Sequence, residues 1–436
     1  MARRPCWGDE LSCEQAMTPI YILEDGHIEE LYPLTYTRPA FLLRCGASTL
    51  LDRMCRNLPR PPEGVLVRDT LAAKVRQEIR LPVNPKIDSG RGAIFINARW
   101  IMTDPLPETP PDAAELARGD FTWVRVSGAR LGELDLRRLV RSKAIDEIMP
   151  SLRCSLSNAL IVRHPWELVL NQRRLLLDDF AQRGRARLSE PMPGAHLLNP
   201  DNIYIGPEVK IFPGVVLDAT NGPIIIERGS EIRPNAVITG PACVGAGCIV
   251  RTGADIREDT TLGPNCRVGG EVSSSIFLGN SNKQHEGFVG QSVIGEWVNL
   301  GAGTITSNLK NTYGNVRMPV NGIEQDTGLQ FQGSIIGDHA KIGIGTCLTT
   351  GTVIGFSSHV IAARPPKFVP SFGWVTDKGI SPLDFDKAIK IAKTAMQRRS
   401  VEWTAADDEV FGRIYKTWRQ AEKGAFSEVG LALKHG

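Results

Sequence analysis

Aliphatic residues recur at every sixth position from Ile226 through Ile232, Ile238, Val244, Val250, Ile256 and Leu262 to Val268. The same period precedes this run (Ile205, Ile211, Leu217) and returns after it (Ile294, Leu300; Ile336, Ile342, Leu348, Ile354, Val360). A helix repeats its apolar face at three and four residues and a half-buried strand at two. A period of six, often followed by glycine (Gly206, Gly245, Gly263, Gly301, Gly343), instead predicts a parallel β-helix over the stretch from 197 to 372. Each unit is one short strand and a turn, three units close a triangular coil, and neighbouring coils supply one another's core. Gly and Asn between strands suit corners that need positive φ. Two breaks in the period, Gly279 to Gly287 and Asn308 to Gln332, predict loops on one face.

The rest of the chain follows other periods. Short apolar runs (Pro19–Leu23, Gly64–Val67, Ala93–Ile96, Thr122–Val126) alternate with helix-like stretches (Ser48–Asn57, Trp166–Gln182), which predicts an α/β, Rossmann-like domain. The Pro/Gly cluster at 189–194 reads as a linker. Helical spacing from Leu383 to Lys423 predicts one or two helices that close or flank the β-helix. The expected organisation is an extension (1–16), an α/β domain (17–190), a left-handed parallel β-helix (191–372) and a helical tail (373–436).

Composition narrows the function. The 436 residues suffice for two or three domains, with 23% charged and 42% hydrophobic residues, as in ordinary globular proteins. A net charge of +3, with no basic block interleaved with aromatics, argues against nucleic acid as a partner. The apolar runs fall short of a membrane span, and the first sixteen residues lack the apolar centre of a secretory signal. A cytoplasmic protein is expected, with Met17 an alternative start. The nine cysteines form no CxxC pair, so neither a disulfide framework nor a zinc site is signalled. Cys243, Cys248, Cys266 and Cys347 fall inside hexads and are expected to fill core.

The segment 281–308 (SNKQHEGFVGQSVIGEWVNLGAGTITSN) concentrates chemistry. A histidine on a solvent-reaching loop, His285, suits a general base for acyl transfer to an amine. Backbone N–H groups of Gly301, Ala302 and Gly303 suit an oxyanion. Asn299 and Asn308 can donate and accept, although corner asparagines are common in such coils. The order of His285, the Gly301–Thr306 segment and Asn308 resembles the acetyltransferase half of the bacterial bifunctional enzymes that acetylate and then uridylylate glucosamine-1-phosphate. The resemblance implies an acetyl-CoA-dependent transferase with His285 as base, Asn299 and Asn308 on the substrate and Ala302 at the acetyl group. It also implies Arg251, in RTGADI, on the sugar phosphate; a solvated corner is the alternative. Lys283 is a second phosphate candidate, one residue off the family's loop lysine. Phe288 replaces the family's Tyr, and NLKN at 308–311 replaces NYDG, so the sugar pocket is expected to differ.

The stretch 23–54 resembles the opening of sugar-1-phosphate nucleotidyltransferases through Leu31, Pro33, Leu34, Thr35, Pro39, Leu42, Leu43 and Gly46. Their glycine-rich phosphate loop is EDGHIEE here, and Ala40 stands where they have Lys. Gly119-Asp120 lacks the context of their Mg²⁺-binding pair. The domain has either lost nucleotidyl transfer or uses other groups. Leu34-Thr35-x-Thr37-Arg38-Pro39, Asn97-Ala98-Arg99, Ser281–His285 and Gly295–Ala302 are similar to elements of a bacterial uridylyltransferase-like set across nearly the full length. That resemblance implies Asp25 as a ligand for Mg²⁺, and Arg38, Arg44, Asn97 and Arg99 as nucleotide or sugar-phosphate contacts. A structural ion pair is the equal alternative for Arg38.

Three readings follow. The leading one is an acetyl-CoA-dependent N-acetyltransferase of an amino-sugar phosphate, tethered to a weak or inactive nucleotidyltransferase-like domain that still meets NTP. The second is an active nucleotidyltransferase oligomerised by its β-helix, and the third a non-catalytic sugar-nucleotide-binding regulator. A homotrimer is expected, since hexapeptide acyltransferases resemble one another in placing their sites between adjacent prisms.

Overall fold

The computed structural model describes residues 18–135, 138–139 and 143–422. The expected extension at 1–16, the start at Met17, Cys6, Cys13 and the last stretch of the tail lie outside them. The chain forms two compact units. The first comprises residues through Ile28, Arg38–Leu42 and Thr49–Arg163; the second comprises Glu29–Thr37, Leu43–Ser48 and the chain from His164 onward. The helix at Trp166–Arg183 and two short segments near the amino terminus therefore belong with the solenoid, inside the stretch expected to be α/β.

The first unit is a mixed six-stranded sheet: β1 Ile20–Leu23, β2 Gly64–Leu66, β3 Ala93–Asn97, β4 Ala113–Ala117, β5 Asp120–Val126 and β6 Arg153–Leu156, in the order β2-β1-β3-β5-β4-β6. β1 pairs in parallel with β2 and β3, whereas β5 runs antiparallel to β3 and β4. β1 and β3 are buried along their whole length, which is why they read as unbroken apolar runs. Two helices join the parallel strands, α1 Leu50–Asn57 and α2 Asp69–Glu78. A reciprocal Thr49–Asp52 capping box starts α1. Tyr21, Leu23, Phe95 and Val124 centre the core.

The second unit contains a parallel β-solenoid of about ten turns. Its three faces are parallel ladders of six, nine and ten strands, the last including one antiparallel strand at its end. Along the nine-stranded face the register stacks Ile205, Ile226, Val244, Leu262, Phe277, Ile294, Ile336, Ile354 and Val369 directly upon one another. Every aliphatic residue of the six-residue period is buried in this one core. The corners behave as expected. Asn235, Asn265 and Asn280 adopt φ near +60, +58 and +54°. At Gly263 a Cβ would stand 2.1 Å from the Leu278 carbonyl oxygen of the next coil.

Three expectations change, and three elements carried no pattern. The stretch Gly279 to Gly287 is not an excursion: Asn282–Lys283 pairs in register with Arg267–Val268 below and Asn299 above. Shortened turns after Val268 and Val272 shift the column, which continues through Val272, Phe277, Lys283 and Val289. A lysine at a core position hides the period from the sequence. The 189–194 segment is no free linker, since Leu188 N–H donates to Ile205 O (2.8 Å) and Met192 N–H to Ile211 O (3.0 Å). Cys347 is only half-buried beside buried Leu348, whereas Cys243, Cys248 and Cys266 fill core as expected, Cys243 against Leu176 and Ile225. Finally, β4, β6 and α2 had no signal clear enough to be read.

The second expected break is a genuine excursion. Leu309 and Phe331 bridge its neck, and within it Arg317–Val320 pairs antiparallel with Ile323–Asp326 around Asn321. Helix α3, Trp166–Arg183, precedes the solenoid in the chain, and two more follow it, α4 Phe385–Gln397 and α5 Ala405–Ala421. The Phe411 ring lies 4.7 Å from that of Phe356 and 5.0 Å from His339, anchoring α5 on the solenoid.

Candidate active site

His285 is exposed on the turn between strands Asn282–Lys283 and Phe288–Gly290. One coil above lies the Gly301-Ala302-Gly303 turn, and the two are joined directly: Gly303 N–H donates to Glu286 O at 3.2 Å. Gly301 N–H is also engaged, with Ile342 O at 3.0 Å. Of the three amides expected to serve an oxyanion, two thus already have acceptors. Among the described residues the Ala302 N–H has none, while its carbonyl accepts from Gly345 N–H at 2.8 Å.

Neither asparagine has the positive φ of Asn235, Asn265 and Asn280. Asn299 lies on a strand, and its Oδ1 accepts from Asn282 Nδ2 at 3.4 Å. Asn282 in turn accepts from Arg399, just beyond α4, at 2.6 Å. Lys341 is the next residue in register above Asn299. Burial lowers the Lys341 amine to about 8. Asn308 Nδ2 donates to Gln291 Oε1, and its carbonyl accepts from Gln332 N–H at 2.9 Å. A Cβ on Gly290 would meet both the Phe288 ring at 2.4 Å and Asn308 Nδ2 at 2.9 Å, so Phe288 and Asn308 border one small space. Arg251 is exposed at the corner two coils below Gln284, on the order of 10 Å along the axis.

Lys283 departs from its expected role. Its side chain is fully buried, and Nζ donates to the carbonyls of His285 and Glu286, the latter at 2.9 Å. It points into the coil and is not presented to a phosphate. Burial lowers its pKa to about 8.

In the first unit, polar residues gather at the carboxyl ends of the parallel strands, where open α/β sheets bind ligands. Glu24 and Asp25 follow β1, Arg68 follows β2, and Asn97 ends β3. Arg99 is fully buried and donates to both Asp25 oxygens, Nε at 2.9 and 3.0 Å, and reaches Asp120 at 3.2 Å. Asn97 Nδ2 adds a bond to Asp25 at 2.9 Å, and Arg163 Nε one to Asp120 at 2.7 Å. Burial alone would raise the Asp120 carboxyl, but Arg163 and Arg99 bring it below the usual range. Arg38 is buried, with its carbonyl accepting from Arg68 at 3.3 Å. Arg44 belongs to the second unit, where Nη1 donates to Ala47 O at 2.6 Å.

This set does not fit Mg²⁺. Asp25 is taken up by a guanidinium and an amide, and among the described residues no group of three His, Cys, Asp or Glu side chains could hold a metal. The signal for the cluster was present in NAR at 97–99, but the long-range partner Asp120 was not readable from spacing.

The chain thus joins a solenoid of stacked hexads to a mixed α/β sheet with charged residues at its strand ends. Residues 20–187 match the family described as sugar nucleotidyl transferase. The chain is 39% identical over 168 residues to the bifunctional protein GlmU of Methanococcus aeolicus, covering 38% of this chain and 39% of that protein. It is 35% identical over 136 residues to a bifunctional sugar-1-phosphate nucleotidylyltransferase/acetyltransferase of Sulfurisphaera tokodaii, covering 31% and 34%. These matches span no more than about two fifths of either relative's length. Among solved structures, the UDP-N-acetylglucosamine acyltransferase of Francisella novicida matches at a TM-score of 0.28 and 14% identity, covering 56% of this chain and 91% of that one. No helix among the described residues is long and apolar enough to cross a membrane.

Proposed function

We propose that the protein is an acetyl-CoA-dependent N-acetyltransferase of an amino-sugar phosphate, working in the cytoplasm as a homotrimer. The carrying observation is the exposed His285 on a turn tied, through Glu286 O and Gly303 N–H, to the turn that presents the free Ala302 N–H. In this reading the acceptor amine attacks the thioester carbonyl as His285 takes its proton. An N–C bond forms, and the oxyanion is met by the Ala302 N–H. Collapse breaks the C–S bond, and the imidazolium returns the proton to the leaving thiolate. Asn299 and Asn308 orient the acceptor, and Arg251 meets its phosphate. The similarity to a bifunctional sugar-1-phosphate nucleotidylyltransferase/acetyltransferase supports acetyl transfer and a sugar-phosphate substrate. Release of free thiol from acetyl-CoA across a panel of amino-sugar phosphates tests the reading. His285→Ala is expected to lower the rate by roughly 10²–10⁴-fold with the fold intact; a full rate in that variant excludes His285 as base.

The family match over residues 20–187 favours a second activity, sugar-1-phosphate nucleotidyl transfer. Against turnover stands Arg99, whose cation occupies Asp25 in place of a metal. We therefore propose that the first unit binds sugar nucleotide or NTP without efficient transfer. Pyrophosphate release is expected to stay at background with UTP, dTTP, GTP or CTP and several sugar-1-phosphates. Robust release with any pair, abolished by Arg38→Ala, would overturn this.

A further inference from the structure

Lys283 stands at an interior position of the solenoid. It pairs with Val268 one coil below, and the Asn282–Asn299 register sets Leu300 over it one coil above. Its side chain is wholly buried at a place where the six-residue period calls for an aliphatic residue. A buried ammonium persists only where it is hydrogen-bonded, and here Nζ donates to two consecutive carbonyls, those of His285 and Glu286. Drawing both onto one cation curls the backbone back over the coil. Gly287 completes the curl at φ +121°, where a Cβ would stand 2.2 Å from Thr304 O. Glu286 O is the junction: it accepts from Lys283 on one side and from Gly303 N–H on the other. An aliphatic side chain would fill the column equally well but would leave this turn unheld.

We propose that Lys283 is a positioning residue, its buried ammonium fixing the His285–Gly287 turn against the Gly301–Gly303 turn so that the imidazole is held beside the Ala302 N–H. The proposal rests on the acetyl-transfer reading of His285. Lys283 touches no reacting atom; it acts through the backbone of the base. It also accounts for the lysine's place inside the coil, where no phosphate reaches it.

The test uses the full chain carrying Lys283→Met, with Lys283→Gln as a second variant that keeps a donor. Two readouts are taken: amide exchange at Gly303, whose acceptor is Glu286 O, and kcat separately from KM. Lys283→Met is expected to keep a cooperative thermal transition, to speed Gly303 exchange tenfold or more, and to lower kcat at least tenfold with KM within twofold. Lys283→Gln should fall between it and the parent protein in both. Unchanged Gly303 exchange in either folded variant overturns the positioning role, whatever the activity. Faster exchange with unchanged kcat also overturns it, leaving a contact without catalytic purpose. A parent protein without acetyl transfer, or His285→Ala at full rate, instead overturns the underlying reading and is recognised independently of the exchange result.

Discussion

Burial holds the Lys283 amine at about 8, below its ordinary 10.5, so at pH 7 the folded state carries an ammonium that its surroundings disfavour. The depressed value means that the folded chain binds fewer protons than the unfolded chain between pH 8 and 10.5. Stability should therefore rise with pH across that window. Replacing the charge by Lys283→Met should stabilise the second unit at pH 7 by roughly 1–3 kcal/mol. The gain should shrink above pH 10.5, where the amine is neutral in both states. Thermal unfolding at pH 7 and pH 10.5 checks this; a Met variant less stable at pH 7 would mean that the carbonyl contacts outweigh desolvation. That His285 and the Gly-Ala-Gly turn lie on adjacent coils was legible, because about three hexads separate them. The inward direction of Lys283 was not, because two shortened turns after Val268 move the hexad register by amounts no local signal marks. Asp25 likewise read as a ligand candidate until Arg99, distant in sequence and also paired with Asp120, met it.

The strands of the solenoid were legible almost one by one, since a single period governs them and each coil repeats the same environment. The α/β sheet was harder: β6 has four exposed residues and offers no apolar pattern to read. The tail helices announced themselves through Val410, Phe411, Ile414 and Trp418, all of them buried. Their end holds what the pattern could not show. Glu422, just past α5, accepts from Tyr36 OH at 2.8 Å, Ser371 Oγ at 2.5 Å and Ser371 N–H at 2.8 Å. Burial raises its carboxyl from 4.5 to about 7, even though the Ser371 and Tyr36 bonds oppose the shift. A raised acid binds more protons folded than unfolded between pH 4.5 and 7. Its contribution is thus complete below 4.5 and lost as pH rises through 7, a change of about 3 kcal/mol if α5 unfolds with it. Amide exchange in α5 should be slower at pH 5.5 than at pH 8, after correction for intrinsic rates. Glu422→Gln should remove most of that difference. Equal pH dependence in the two proteins would assign the titration to another group.

Apolar exposure on the solenoid bears on assembly. Ile344 is 78% exposed and Ile361 53%, both on the edge that carries the Gly301–Gly303 turn. Ile305, 43% exposed, follows that turn directly. A solenoid has no need of aliphatic side chains there: the coils are closed by the inward column, and solvated corners elsewhere carry Asn, Glu or Arg. Cyclic closure would give such an edge a partner in every copy and would bring a second chain to the His285 turn. A trimer at micromolar concentration is the expected state by light scattering. Ile344→Asp should disperse it, because a carboxylate buried at an apolar contact must be either protonated or expelled. The same substitution should leave the thermal stability of an isolated solenoid nearly unchanged, since Ile344 contributes nothing to the inner core. If the site is shared between copies, acetyl transfer should fall in parallel with the trimer fraction and recover as protein concentration is raised. A monomeric parent protein with full activity would separate the chemistry from assembly and leave the aliphatic edge without this explanation.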